Sequence, residues 1–173
     1  MADFLTPAER SARMARIRGK DTVPELALRS ALHGIGLRYR LHAMTLPGKP
    51  DLVMRKHKAA IFVHGCFWHR HEGCKIAAIP KSNVEFWQRK FAGNAARDSR
   101  NIYRLEEMGW RVFVVWECEL APKKVATTAR KLALRILVRS PATLRTARLL
   151  RLSPRRAESQ HGATTTGAGT DTI

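Results

Sequence analysis

The densest run of chemically capable side chains reads His64-Gly65-Cys66-Phe67-Trp68-His69-Arg70-His71-Glu72-Gly73-Cys74. Cys66, His71 and Cys74 stand at C-x4-H-x2-C spacing, and the remaining cysteine, Cys118, ends a strand-like apolar run. Three thiolates and one imidazole fill a tetrahedral zinc shell and leave no position open to water, so such a site is structural. Free cysteine is also a good core residue. A site that uses every cysteine of the chain nevertheless favours zinc over idle thiols. By spacing alone, His69 and His71 are both within reach as the imidazole ligand.

Asp51 and His64 form a second constellation. They flank two short apolar runs, Asp51–Arg55 and Ala59–His64, joined by the polar Lys56-His57-Lys58. If the turn centres within Lys56–Lys58 so that paired residue numbers total about 115, Asp51 lies opposite His64 at one open end of a sheet. A polar pair at a sheet edge is the plain reading. Asp is disfavoured in strands, however, and a divalent-metal site for phosphodiester chemistry gives Asp51 a reason to be there.

Phe67 and Trp68 sit on a loop between metal-type ligands, where strand or helix periodicity does not bury them. They either wedge against nucleic-acid bases or pack around the metal loop, and Trp87 fits both arrangements. Met14 and Ile17 share a helical face, and Arg10, Arg13, Arg16 and Arg18 lie on the same segment. Glu25 reads as a favourable charge at a helix N-terminus. Arg97, Asp98, Arg100 and Arg104 read as a solvated or phosphate-contacting helical face.

These residues must be held by a regular frame. Thr6 and Pro7 open a first helix to about Arg18. A second runs from near Pro24 to Gly34, with Leu28, Ala31, Leu32 and Ile35 on or just past its buried face. Leu37–His42 reads as a strand, followed by a Pro47-Gly48 turn. Ser82-Asn83-Val84-Glu85 is a capping-box pattern opening a long helix that stops at Gly109. Arg111–Trp116 is a buried strand, and Pro122 begins a last helix to about Val138. The order implies an α/β or α+β sandwich with a mixed sheet.

The 173 residues are 45% hydrophobic and 27% charged, enough apolar material for one packed domain, which excludes wholesale disorder. Thirty-two Lys and Arg against 14 Asp and Glu give a net charge of +18, which attracts a polyanion, nucleic acid before an anionic membrane. No apolar run is long enough to span a bilayer. No signal-peptide pattern follows the start and the cysteines are odd in number, which points to a cytoplasmic protein. One domain over 1–140 and a basic, then low-complexity, tail over 141–173 are expected. The stretch from Ala121 to Arg156 carries eleven basic and no acidic residues, and the small-residue end after Arg156 reads as disordered.

Four stretches in order, Leu46-Pro47-Gly48-Lys49-Pro50-Asp51, then Ile61 to His69, then Glu85-Phe86-Trp87, then Gly109 to Cys118, closely resemble the very short patch repair (Vsr) endonucleases. Arg13 to Ile17 and Asp21-Thr22 also fit, and the likeness covers about residues 8–120. The paired patterns HGCFWH and WEC are far more specific than any single ligand pair. Arg70, Glu72 and Gly73 depart from the His-rich run usual in that family, and Val63 stands where a hydroxyl residue is common.

The resemblance implies a restriction-endonuclease-like fold and a Mg²⁺-dependent nick in one DNA strand. The cut falls 5′ to the mismatched T of a T:G pair left by deamination of 5-methylcytosine. By residue match it makes Asp51 and the main-chain carbonyl of Val63 the Mg²⁺ ligands. His69 becomes the general base, and His64 and Glu25 orient water and phosphate. Cys66, His71, Cys74 and Cys118 become the zinc ligands. Phe67, Trp68 and Trp87 enter from the major groove, and Met14 and Ile17 press from the minor groove. The expected partner is double-stranded DNA bound by a monomer. Two rivals remain on the same residues: a sequence-specific restriction or homing-type endonuclease, and a zinc-stabilised DNA-binding module without catalysis.

Overall fold

The computed structural model describes residues 19–138, together with Thr6 and Glu9. At that outlying start, the Thr6 backbone N–H donates to the Glu9 carboxylate (2.8 Å) and the Glu9 N–H to the Thr6 hydroxyl (3.3 Å), the reciprocal bonding of a capped helix start. Met14 and Ile17, the rest of that helix and the segment after 138 lie outside the described residues.

Seven regular elements follow: α1 (Val23–Gly34), β1 (Arg40–Leu41), β2 (Leu52–Met54), β3 (Ala59–His64), α2 (Val84–Glu107), β4 (Arg111–Trp116) and α3 (Val125–Leu137). The sheet runs β1-β2-β3-β4, antiparallel across the first two junctions and parallel between β3 and β4. A parallel pair needs a long crossover, and α2 lies within it. Successive strand residues face opposite sides, so Ala59 and Ile61 join Leu52, Met54, Phe113 and Val115 under α1 and α3. Ala60 and Phe62 face the other way and pack with Leu105 of α2. The result is a mixed sheet between helical layers, the α/β arrangement expected from the order of elements.

Several details differ from the sequence reading. The β2–β3 register pairs Leu52 with Ile61 and Met54 with Ala59, so Asp51 does not fall opposite His64. The turn occupies Arg55–Lys58, a 3₁₀ turn over Arg55–His57 followed by Lys58 in the left-handed region, so its centre lies one residue earlier than expected and the register moves by two. A two-residue shift preserves the faces, so Asp51 still reaches the same open end. β1 is only two residues long. Ile35 is exposed, because α1 ends one residue before it. The N-cap of α2 is Asn83, left-handed and without a side-chain cap bond, where the capping-box pattern placed Ser82. A 3₁₀ turn over Glu117–Leu120 delays α3 until Val125.

Candidate active site and metal centre

The parallel pair decides where chemistry can occur. β3 and β4 end level, with His64 paired to Trp116, and the loops after them open a cleft of about 770 Å³. Clefts at the carboxyl ends of parallel strands are the usual ligand sites of α/β sheets. Glu25, Asp51, Val63, His64, His69 and Asp98 all line this one.

Asp51 follows buried Pro50 at the start of β2, and its Oδ2 accepts the Val63 backbone N–H at 2.7 Å. Within a strand, a residue's N–H and carbonyl point to the same side, so the Val63 carbonyl also faces β2. Continuing the register sets Val63 against Pro50, whose nitrogen has no hydrogen to donate. A carboxylate and a ladder carbonyl with no donor opposite it thus sit together, the hard-oxygen donor set that suits Mg²⁺. Burial, with the Glu25 carboxylate adding to it, raises the Asp51 pKa from 3.8 to about 6 against the opposing Val63 hydrogen bond.

His64 and His69 stack with centroids 3.8 Å apart and planes within 11°. Burial, reinforced by His69, lowers the His64 pKa to about 4, so that imidazole is neutral near pH 7. His69 Nδ1 meets Asp98 Oδ2 at 2.5 Å. With Asp98 accepting, the Nδ1 proton is held there and Nε2 keeps its lone pair. Across the cleft, the buried Glu25 accepts from the Thr22 hydroxyl (2.8 Å), the Asp21 N–H (3.1 Å) and Arg29 Nη2 (2.6 Å).

Cys66 and Cys118 each lie two residues beyond the paired His64 and Trp116, so the level strand ends bring them together. His71 Nδ1 is 3.6 Å from Cys66 Sγ and 3.3 Å from Cys118 Sγ. The ligand atoms of Cys66, His71, Cys74 and Cys118 all lie within 4.8 Å of one another. Zinc–ligand bonds of about 2.0–2.3 Å set tetrahedral neighbours roughly 3.5–3.8 Å apart, which these residues fit. The His71 ring stacks on Trp116 at 4.2 Å. His71, not His69, is the histidine of this cluster. Without a cation, burial pushes the Cys66 thiol up to about 12, whereas the Ile76 N–H lowers Cys74.

Phe67 packs edge-on against Trp68 and Trp87, both at 5.2 Å, and against Phe91 at 5.3 Å. Phe67 and Trp68 stay partly exposed, while Trp87 and Phe91 are buried. Asn94 Nδ2 donates to the Trp68 carbonyl (2.9 Å) and holds this loop on α2.

The family model "DNA mismatch endonuclease Vsr" matches residues 2–75. A "Type II nicking enzyme V.XorIIP" of Xanthomonas oryzae pv. oryzae is 50% identical over 121 residues, 70% of this chain and 88% of that protein. A "DNA mismatch endonuclease Vsr" of Escherichia coli (strain K12) is 45% identical over 127 residues, 73% of this chain and 81% of that protein. The chain belongs to the Vsr family. Among solved structures, a homing endonuclease I-Bth0305I catalytic domain is similar at TM-score 0.44 and 23% identity, over 68% of this chain and 100% of that one.

Within this Vsr-family site, the sequence reading gives no catalytic role to two residues: Asp98, which lines the cleft, and Arg29, which bonds Glu25 from behind it. In sequence Asp98 reads as part of a solvated or phosphate-contacting helical face. It lies instead on the stripe Trp87, Phe91, Asn94, Asp98, Leu105, which is buried at its ends and polar in the middle. A polar break in an otherwise apolar helical stripe is the signal that marks it. Arg29 is 6% exposed and bonds both Glu25 and Asp21. Its signal is the i,i+4 spacing from Glu25.

Proposed function

We propose that this Vsr-family chain is a DNA repair endonuclease that nicks one strand on the 5′ side of the mismatched T in T:G pairs. Those pairs arise when 5-methylcytosine deaminates. The observation that carries the reading is the His69–Asp98 pair facing the Asp51 and Val63 oxygens across one cleft. Nε2 of His69 takes the proton of an attacking water while Asp98 keeps the ring in the tautomer that can accept it. The water oxygen forms a bond to phosphorus, the bond to the 3′ oxygen breaks, and that oxygen leaves with a proton taken from solvent. Neutral His64, stacked on His69, steadies the base and offers a hydrogen bond without adding charge. Glu25 faces the same cleft and orients water.

Asp51 and the Val63 carbonyl would hold Mg²⁺, which when bound supplies positive charge to the scissile phosphate and the leaving oxygen. Cys66, His71, Cys74 and Cys118 would hold a zinc ion that pins the loop after β3 to the end of β4. Phe67, Trp68 and Trp87 would insert beside the mismatch, with Met14 and Ile17 opposing them from the other groove. A T:G wobble pair stacks poorly, so a wedge costs less there than at a Watson–Crick step. Net charge of +18 supplies the affinity for phosphate, and the chain acts as a cytoplasmic monomer. The nuclease domain covers 1–140, and the basic segment in the tail after it adds nonspecific DNA affinity.

Single-turnover cleavage of matched, T:G and methylated duplexes tests the reading. Only T:G DNA should be nicked, at one strand and with added Mg²⁺. Asp51→Ala should abolish the nick and leave T:G binding within about tenfold, since phosphate contacts lie elsewhere. Substantial Mg²⁺-dependent nicking by that variant refutes the site.

A further inference from the structure

Glu25 is a buried carboxylate on the cleft, 4% exposed, and the partly buried Asp51 is close enough to feel its charge. Two such groups repel unless something compensates them. For Glu25 the charged partner is the buried guanidinium of Arg29. Arg29, one turn along α1 from Glu25, gives Nη2 to Glu25 Oε2 (2.6 Å) and Nη1 to Asp21. The same Nη2 lies 3.2 Å from His42 Nε2. Arginine only donates, so His42 accepts there. His42 is tied in turn to the metal-binding residue, because its backbone N–H donates to the Asp51 carbonyl at 3.3 Å. Arg29 therefore braces the first turn of α1 against the sheet edge that carries Asp51. Its own Nε is buried without a hydrogen-bond partner. The guanidinium is seated by the groups at its tip rather than by satisfaction of all five donors.

We propose that Arg29 is a positioning residue: it fixes the Glu25 carboxylate in the cleft and, as a permanent charge linked to Asp51 through His42, competes with the divalent cation. The inference rests on the nuclease reading. It has two separable consequences. Removing the charge tightens cation binding, because a dication no longer meets a fixed positive neighbour in a partly desolvated wall. Removing the fork slows the chemical step, because Glu25 loses the partner that sets its geometry. Lysine keeps the charge but not the fork, since one ammonium cannot reproduce the planar, two-armed guanidinium.

The test uses the full-length, zinc-loaded chain, with Mn²⁺ binding read by electron paramagnetic resonance and single-turnover nicking of T:G duplex read at saturating Mg²⁺. Arg29→Gln should bind Mn²⁺ about tenfold more tightly and nick at least about tenfold more slowly, with duplex affinity unchanged. Arg29→Lys should keep Mn²⁺ affinity within about threefold of the parent and still nick slowly. A residue that only packs α1 would lower the melting temperature but leave Mn²⁺ affinity and the saturating rate of folded protein alone. That outcome, or weaker Mn²⁺ binding by Arg29→Gln, overturns the proposal. A parent protein that fails to nick T:G DNA or bind Mn²⁺ refutes the nuclease reading instead.

Discussion

Asp51→Asn should make the magnesium-free protein more stable. The Asp51 carboxyl titrates near 6 in the fold against an ordinary 3.8, chiefly because burial disfavours its charge. The folded chain therefore binds this proton more tightly than the unfolded chain between about pH 4 and pH 6. Stability falls as pH rises through that window and stays reduced above it. A change from 3.8 to about 6 corresponds to about 3 kcal/mol at full effect. Partial access to water lowers this to about 1–2 kcal/mol. Asparagine keeps the volume and an oxygen for the Val63 N–H, but carries no charge to desolvate. Urea unfolding of zinc-replete, magnesium-free protein should show the variant ahead by about 1–2 kcal/mol at pH 8 and by about half as much at pH 5. Added Mg²⁺ should then stabilise the parent and not the variant, closing the gap. A gain independent of pH, or a loss at pH 8, refutes the argument that Asp51 is held at a cost which the cation offsets.

Asp98→Ala should slow nicking by about 10²–10⁴-fold with duplex affinity unchanged, since only the His69 tautomer and orientation are lost; an unaffected single-turnover rate would remove Asp98 from the mechanism. Protein purified without added metal should carry one equivalent of zinc by elemental analysis, and Cys118→Ser should lower the melting temperature before it alters chemistry. Three freely titratable thiols in the folded chain would exclude that site. Trp68→Ala should weaken T:G binding by about 10–100-fold through lost stacking, and matched-duplex binding much less. Equal losses on both duplexes at one salt concentration would show that Trp68 serves only the aromatic cluster.

Local pattern reveals much of this fold and topology reveals the rest. Arg111–Trp116 is legible as a strand because five apolar residues, Val112 to Trp116, follow closely on the turn at Gly109. The β2–β3 register is not, because it depends on where the turn is centred, and the left-handed Lys58 fixes that. The cluster residues Cys66, His71, Cys74 and Cys118 can be found by counting ligand types. The choice between His69 and His71 needs the position of α2, whose Asp98 draws His69 away. Asp98 and Arg29 are hidden for one reason. A charged residue on a basic helix looks solvated until the partner that buries it, distant in sequence or a turn away, is in place. The aromatic loop stays ambiguous in sequence because both readings use the same side chains, and the packing of Phe67 on Trp87 and Phe91 shows what covers it in the free protein.

The level ends of β3 and β4 have a consequence for how the chain matures. The proposed zinc ligands fall on both sides of the crossover, with Cys66 before α2 and Cys118 after β4. A tie between them closes a loop of roughly 50 residues, and by analogy with a disulfide removes about 4 kcal/mol of freedom from the unfolded chain. In a reducing compartment, where a disulfide would not last, a metal can supply that constraint. It can do so only late. A nascent chain emerging from the ribosome has Asp51, His64, His69 and Asp98 before Cys118, so every proposed cutting residue is synthesised before the fourth zinc ligand. The tie that sets the loop carrying His69 in place is therefore completed last, and a chain that stops short of Cys118 lacks it.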